Sequence, residues 1–133
     1  MLYRLMTMGF MLLLPVLMIV FGLLFSKRPP KKINYGFGYR TRMACLNEQT
    51  WRFAHVTLGK VWVRLGAAML AVSLVLGFMA KSEDQLFTAM ITAEIMQVIA
   101  MFISIVPVEA ALRKRFDSSG QLITDKDGKY HEE

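Results

Sequence analysis

The sequence predicts an all-α membrane protein with three transmembrane helices and an interfacial amphipathic helix that leads into the second of them. Two observations support this prediction. Hydrophobic residues make up 55% of the 133 residues, whereas charged residues make up 20%, below the ~25% usual in soluble domains. The hydrophobic residues are also gathered into long runs, and about 20 apolar residues suffice for a helix to cross the hydrocarbon core of a bilayer.

The runs set the domain organisation. We predict one membrane domain over residues 1–116 and a polar, flexible C-terminal tail over residues 117–133. The connection between the first two helices is a long basic loop, 27–57, whereas the second and third helices are joined by a short turn. The predicted membrane spans are 5–25, 59–79 and 86–106.

The first run is predicted to be a retained helix and not a cleaved signal peptide. Its apolar core is too long for a signal peptide, and Lys27 and Arg28 follow it without a small-residue cleavage site. Pro15 lies inside the run, where a membrane helix tolerates it if neighbours satisfy the freed carbonyl group. We therefore expect a kink near this proline.

The second helix is expected to begin outside the hydrocarbon. Asn47 is a suitable N-cap, and Glu48 falls in the positive first turn. We expect an interfacial stretch to about Thr57, followed by the span itself. Its small residues recur every seven positions, which predicts either a seam for close packing that supports a homo-oligomer, or only the general frequency of small residues in membrane helices. These residues are Gly59, Gly66, Ser73 and Ala80.

The distribution of cations predicts the orientation. The 27–57 loop carries seven Lys and Arg residues against one acid, whereas the turn after the second helix carries Lys81 against Glu83 and Asp84. The positive-inside rule places the basic loop in the cytoplasm. We therefore expect a multi-pass protein of the bacterial plasma membrane with its N-terminus outside and its C-terminus cytoplasmic.

Three polar residues fall inside the predicted spans: Arg64, Glu94 and Gln97. A carboxylate in a span costs about 2.5–3.5 kcal/mol on insertion scales, so Glu94 is expected to face the bundle and to find a partner. Helix geometry allows a polar ladder of the three side chains. This ladder is either a ligand or proton path, as in a small transporter or channel subunit, or a structural contact between helices, with Glu94 protonated if it has no partner.

The basic loop contains the second candidate site. Arginine presents a planar donor fork suited to carboxylate or phosphate groups, and aromatic neighbours suit headgroup depth. The alternative is a loop held only by anionic lipid headgroups, at about 1 kcal/mol per cation. The candidate ligand-binding or partner-binding residues are Asn34, Tyr39, Arg40, Thr41, Arg42, Glu48, Thr50 and Trp51.

Other classes of function find no support in the sequence. Cys45 is the single cysteine and His55 is far from other metal-ligating residues, so we predict no metal site and no cofactor. No catalytic motif is present, and we expect no enzyme activity. The net charge of +6 sits around the hydrophobic runs, which is typical of membrane loops and not of a nucleic-acid interface.

The loop motifs resemble those of the SdpI family of bacterial integral membrane proteins, over about Pro15 to Asp117. The resemblance is carried by Pro30-Lys31-Lys32-Ile33-Asn34, Gly38-Tyr39-Arg40-Thr41 and Asn47-Glu48-x-Thr50-Trp51. Within the loop, Arg42 stands where the family often has Pro or Ser, which makes this loop more basic. The resemblance implies immunity against, or sensing of, a membrane-active peptide toxin, with signalling to a cytoplasmic regulator.

Overall fold

The computed structural model describes residues 1–123, so residues 124–133 of the predicted tail lie outside the described part. The described chain is helical, and three of its helical stretches are long and apolar enough to cross a membrane. This confirms the predicted fold class. The helices in chain order are α1 (Leu2–Lys27), α2 (Glu48–Met79), α3 (Glu83–Ile103) and α4 (Ile105–Arg115).

Helix α2 begins at Glu48 and continues without interruption to Met79. Asn47 caps it: its side-chain oxygen accepts the Thr50 N–H at 2.9 Å, and the Thr50 hydroxyl accepts the Asn47 N–H at 3.1 Å. This reciprocal cap satisfies donors that a helix start leaves free. The expected interfacial stretch is therefore the first part of one long helix, and Gly59 does not interrupt it.

The predicted third span, 86–106, is divided in the structure. Helix α3 ends at Ile103 and α4 begins at Ile105, with Ser104 between them. Pro107 has no N–H, so it cannot donate the helical hydrogen bond to the Ile103 carbonyl. The Trp62 indole N–H donates to the Ser104 hydroxyl at 3.0 Å, and this bond holds the break against α2.

Helices α1 and α2 pack through a glycine seam, which we define as the contact of Gly22, Gly59 and Gly66 with the opposing helix. A Cβ on Gly59 would lie 2.5 Å from the Gly22 carbonyl oxygen, and a Cβ on Gly66 would lie 2.9 Å from the Pro15 carbonyl oxygen. Only glycine permits this backbone approach. Gly59 and Gly66 of α2 are thus used in a contact within one chain, and the expected homo-oligomer stays a prediction.

The Arg4 side chain caps the C-terminal end of α2. Its guanidinium donates to the carbonyl oxygens of Gly77 at 3.1 Å and Ala80 at 2.8 Å. The last carbonyl groups of a helix have no intrahelical donor and carry partial negative charge. The arginine satisfies two of them and ties the start of α1 to the end of α2.

Part of the predicted flexible tail packs on the bundle. The chain turns back after α4, so that Phe116 pairs with Leu122. The Asn47 side-chain amide donates to the Gly120 carbonyl oxygen at 2.8 Å, and Gly120 has a φ of 81°. The stretch 117–123 is therefore joined to the start of α2, and the flexibility expected of the tail stays a prediction.

Candidate functional site

The connecting loop, residues 28–47, folds over the end of the bundle and is fastened at Tyr39. The Tyr39 N–H donates to His55 Nε2 at 3.0 Å, and the Tyr39 hydroxyl donates to the Ile105 carbonyl oxygen at 3.4 Å. The side chain of Tyr39 is 8% exposed. One residue thus links the loop to α2 and to the start of α4.

His55 is the residue of α2 that holds the loop at Tyr39. Its Nδ1 lies 2.8 Å from the Trp51 carbonyl oxygen, and because a carbonyl group can only accept, Nδ1 carries the proton and Nε2 accepts from Tyr39. The ring is fully buried and packs on Trp51, with ring centroids 4.3 Å apart, and edge-on against Phe25 at 5.1 Å. Both ring nitrogens are therefore engaged inside the protein.

Gly38 brings the loop close enough for this contact. Its φ is 108°, a conformation that side-chain-bearing residues rarely adopt. A Cβ at this position would lie 2.5 Å from His55 Nε2. Backbone geometry therefore explains the Gly-Tyr pair of the sequence motif. Gly38 allows the loop backbone to approach the His55 ring, and the Tyr39 N–H donates to His55 Nε2.

An aromatic cleft of about 570 Å³ opens beside the fastened loop. It is bounded by α1, the loop, α2 and the α3–α4 break, and aromatic and aliphatic side chains form most of its wall. Phe37 is 55% exposed, and Arg40 is exposed at the rim, where its guanidinium donates to the Tyr35 carbonyl oxygen. Lining side chains include Phe21, Phe25, Phe37, Tyr39, Arg40 and Trp62.

A second cavity, of about 470 Å³, lies between the loop, α4 and the turn of residues 117–123. Arg42, Glu109, Arg113 and Asp117 contribute to its wall. Burial, and then the nearby Glu109 carboxylate, raise the pKa of Tyr39 to about 12. The Tyr39 phenol is therefore neutral at physiological pH and donates the hydrogen bond to Ile105.

The remaining predicted loop residues divide into internal and surface groups. Thr50 and Trp51 are fully buried, and the Thr50 hydroxyl donates to the Ala44 carbonyl oxygen at 3.1 Å. Thr41 accepts the Ala44 N–H at 3.3 Å, so these side chains shape the loop from within. Asn34, Arg40, Arg42 and Glu48 are exposed and accessible to a ligand or partner.

The intramembrane residues do not form the polar ladder. Gln97 is 3% exposed, and its amide nitrogen donates to the Ser73 hydroxyl at 2.9 Å and to the Met11 carbonyl oxygen at 3.2 Å. Arg64 is exposed at a groove between α2 and α3, whereas Glu94 lines a groove between α1 and α3. The two charged side chains lie on different faces because α3 separates the grooves. Of these three residues, Gln97 alone hydrogen-bonds to the other helices inside the described bundle.

Sequence reasoning missed three residues that organise the site: His55, Trp62 and Ser104. The sequence contained a local indication for His55 only: Trp51 and His55 are four residues apart and therefore share a helix face. The partner of Trp62 lies 42 residues away, and no local pattern predicts such a pair. Among residues 1–123, no group of three or more His, Cys, Asp or Glu side chains could hold a metal ion.

Comparison with known proteins places this arrangement in a family. Residues 31–108, which span the loop, α2, α3 and the start of α4, match the model of the SdpI/YfhL protein family. The uncharacterized protein YfhL of Bacillus subtilis is 34% identical over 61 residues, which are 46% of this chain and 56% of that protein. The match thus spans just over half of that relative's length. No solved structure matches the chain. With more than half of its residues matched by the family model, the chain belongs to the SdpI/YfhL family.

Proposed function

We propose that this protein confers immunity against, or senses, a membrane-active peptide toxin, and that it acts by binding and not by catalysis. Membership of the SdpI/YfhL family supports a membrane protein of that type. The observation that carries the proposal is the aromatic cleft, which joins an exposed cationic rim to an apolar interior. Such a cleft suits an amphipathic ligand that approaches along the membrane surface.

The chemistry of the cleft selects this class of ligand. A volume of about 570 Å³ lies within the ~300–1,000 Å³ range of ligand pockets, and its wall is mainly apolar. Aliphatic or aromatic side chains of a peptide would replace lipid contacts there. Arg40 at the rim can donate to a peptide carboxylate or to an anionic lipid headgroup.

We propose that the loop end of the bundle faces the cytoplasm of a bacterial plasma membrane. Seven cations against one acid in residues 27–57 support this orientation. The exposed loop and the 117–123 turn would then be accessible to a cytoplasmic regulator, which would couple occupancy of the cleft to signalling. A C-terminal reporter that is active only in the cytoplasm should give a signal, and a reporter active only outside should not.

The test of the proposed function is survival of a sensitive bacterium challenged with membrane-active peptide toxins. We expect the wild type to protect and a Phe37→Ala, Arg40→Ala double variant to lose protection, because both exposed side chains line the cleft. Trp51 is unsuited to this test since its indole is buried. A Lys31→Ala, Lys32→Ala variant removes exposed cations outside the cleft lining and is the matched control.

The wild type and all variants must be present in the membrane in equal amounts for their survival to be compared. Protection that persists in the cleft variant would contradict the role of the cleft, and absence of protection by the wild type against every toxin would contradict immunity. A transporter that uses Arg64, Gln97 and Glu94 as one path is not proposed, because the two charged residues open on different grooves.

A further inference from the structure

A carboxylate groove runs between α1 and α3 on the outside of the bundle. Glu94 is half-buried in it, and every other lining side chain is apolar. The groove encloses about 390 Å³ and is open along one side. Among residues 1–123, none donates a hydrogen bond to the Glu94 carboxylate or lies near it as a countercharge. Its lining is Phe10, Leu13, Leu14, Leu17, Met90, Glu94 and Val98.

The position of the groove makes this carboxylate costly. Its lining residues on α1 belong to the central turns of a helix that runs from Leu2 to Lys27, and Glu94 is near the middle of α3. Snorkelling relieves charged residues near the ends of a span, but the short glutamate side chain has no such route from the centre. A polar group held there without a partner is expected to receive one from another molecule.

The chain's own cation inside the spans does not fit this role. Gly66 packs against Pro15 and Ile19 of α1, which places Arg64, one half-turn earlier in α2, beside the α1 turn that follows Leu17. Glu94 instead lies beside the α1 residues between Phe10 and Leu17. Arg64 is therefore roughly five residues, or about 8 Å, nearer the loop end than Glu94. Side chains tilt toward the start of their helix, and α2 and α3 run in opposite directions. The two side chains therefore diverge further, and a second copy side by side in the same membrane would not bring Arg64 to Glu94.

We propose that the carboxylate groove binds a membrane-inserted helix of another molecule that carries one cationic side chain at mid-depth, opposite Glu94. The inference rests on the proposed function, since it assigns to the peptide toxin an inserted helix with such a cation. The apolar walls supply packing, and the carboxylate selects the cation. Affinity would come from the pairing of the Glu94 carboxylate with this cation in a medium of low dielectric constant.

The test uses the full chain reconstituted in phosphatidylcholine vesicles, with a fluorescence donor on Cys45, its single cysteine. The probes are three synthetic leucine-alanine transmembrane helices that carry an acceptor and differ only in their central residue: Lys, Leu or Glu. Energy transfer should show at least tenfold tighter binding of the Lys helix than of the Leu helix. The Glu helix should bind no better than the Leu helix.

Variants separate the groove from general membrane effects. Glu94→Gln should abolish the preference for the Lys helix, and Glu94→Asp should keep most of it. Glu83→Gln, which removes an exposed carboxylate at the start of α3, should leave it unchanged. Absence of a preference in the wild type, or its persistence in Glu94→Gln, would overturn the proposal.

Self-association is the remaining outcome to distinguish. If donor-labelled and acceptor-labelled copies associate through Glu94 and the Lys helix does not displace them, the groove is a contact between copies and the proposal fails. The vesicles contain no toxin, so failure here removes the groove as the binding site and leaves immunity to the survival assay. If the wild type fails to protect in the survival assay but still prefers the Lys helix in vesicles, the proposed function fails and the binding groove remains.

Discussion

The two neighbours of α1 meet it in opposite ways. Against α2, the glycine seam brings backbone to backbone, with no room for a methyl group at Gly22 or Gly59. Against α3, the large side chains of α1 stand apart and leave a groove of about 390 Å³ with a lone carboxylate. In a bilayer the lipid is as apolar as the helices, so close packing and hydrogen bonds decide which helices associate. The seam therefore holds the fold, and the groove is available for binding.

The hydrogen bonds also differ between the α1–α2 contact and the α1–α3 contact. The start of α1 is tied to α2 through Arg4, and the loop that follows α1 is tied to α2 through His55. The described bond between α1 and α3 is a single one, from Gln97 to the Met11 carbonyl oxygen. Four changes test how far this difference between the two faces extends, from the largest expected effect to the smallest.

The first change is Gly59→Ala, which adds one methyl group to the seam. Its Cβ would lie 2.5 Å from the Gly22 carbonyl oxygen and 2.6 Å from the Ser26 nitrogen. Both neighbours are backbone atoms, so the helices must separate, and we expect a loss of at least about 2 kcal/mol in the free energy of unfolding. Denaturant unfolding in bicelles, followed by circular dichroism, measures it.

Gly9→Ala is the matched control for the seam. No atom lies within 4 Å of a Cβ at Gly9, and alanine is up to about 1 kcal/mol better than glycine inside a helix. The control should therefore be neutral or stabilising. Equal stability of Gly59→Ala and Gly9→Ala would show that α1 and α2 do not approach as closely as described.

The second change, His55→Ala, removes the acceptor that fastens the loop. The Tyr39 N–H would then be buried without a partner, which costs about 1–3 kcal/mol. We expect faster amide hydrogen exchange over residues 34–41, while α1 and the far end of α2 keep their protection. Tyr39→Phe retains the N–H bond and should show much less acceleration. Unchanged exchange in His55→Ala would mean that another contact holds the loop.

The third change, Leu13→Ala, removes apolar atoms from the groove. Leu13 is 52% exposed, and lipid can occupy the space that it leaves. We expect a change within about 0.5 kcal/mol, as for other exposed positions. Thus deleting three carbons at the groove should cost less than adding one at the seam. A loss comparable to that of Gly59→Ala would contradict the division between the two faces.

The fourth effect is a pH dependence that tests the contact of the loop with α4. Burial and the Glu109 charge raise the pKa of Tyr39 from 10.0 to about 12, so folding favours the neutral phenol. The resulting stability is present below pH 10 and is lost as the pH rises toward 12. The difference in phenolate absorbance between wild type and Tyr39→Phe should appear near pH 12 in the folded protein and near pH 10 after denaturation. A folded midpoint near 10 would place Tyr39 in solvent.

Several features were predictable because they depend on local sequence. The three spans follow from the length of the apolar runs, and the Asn47 cap follows from residue type at a helix start. The loop motif identified the family, yet the reason for Gly38 and Tyr39 appeared only with His55 beneath them. The ladder of Arg64, Gln97 and Glu94 was wrong because helix arithmetic gives depth along an axis but not which face of a helix meets its neighbour.

The sequence by itself determined that this chain is a three-span membrane protein of its family, since hydrophobic length and motif spacing are properties of the chain alone. Only the tertiary structure decided that Gly59 and Gly66 of α2 serve the α1 contact and that Glu94 is the one polar residue lining its groove. The physical reason is that all faces of a membrane helix are apolar, so hydrophobicity does not distinguish a packed face from a lipid-facing one. That distinction depends on backbone approach and on hydrogen bonds between residues distant in sequence, such as Gly22 with Gly59 and Met11 with Gln97.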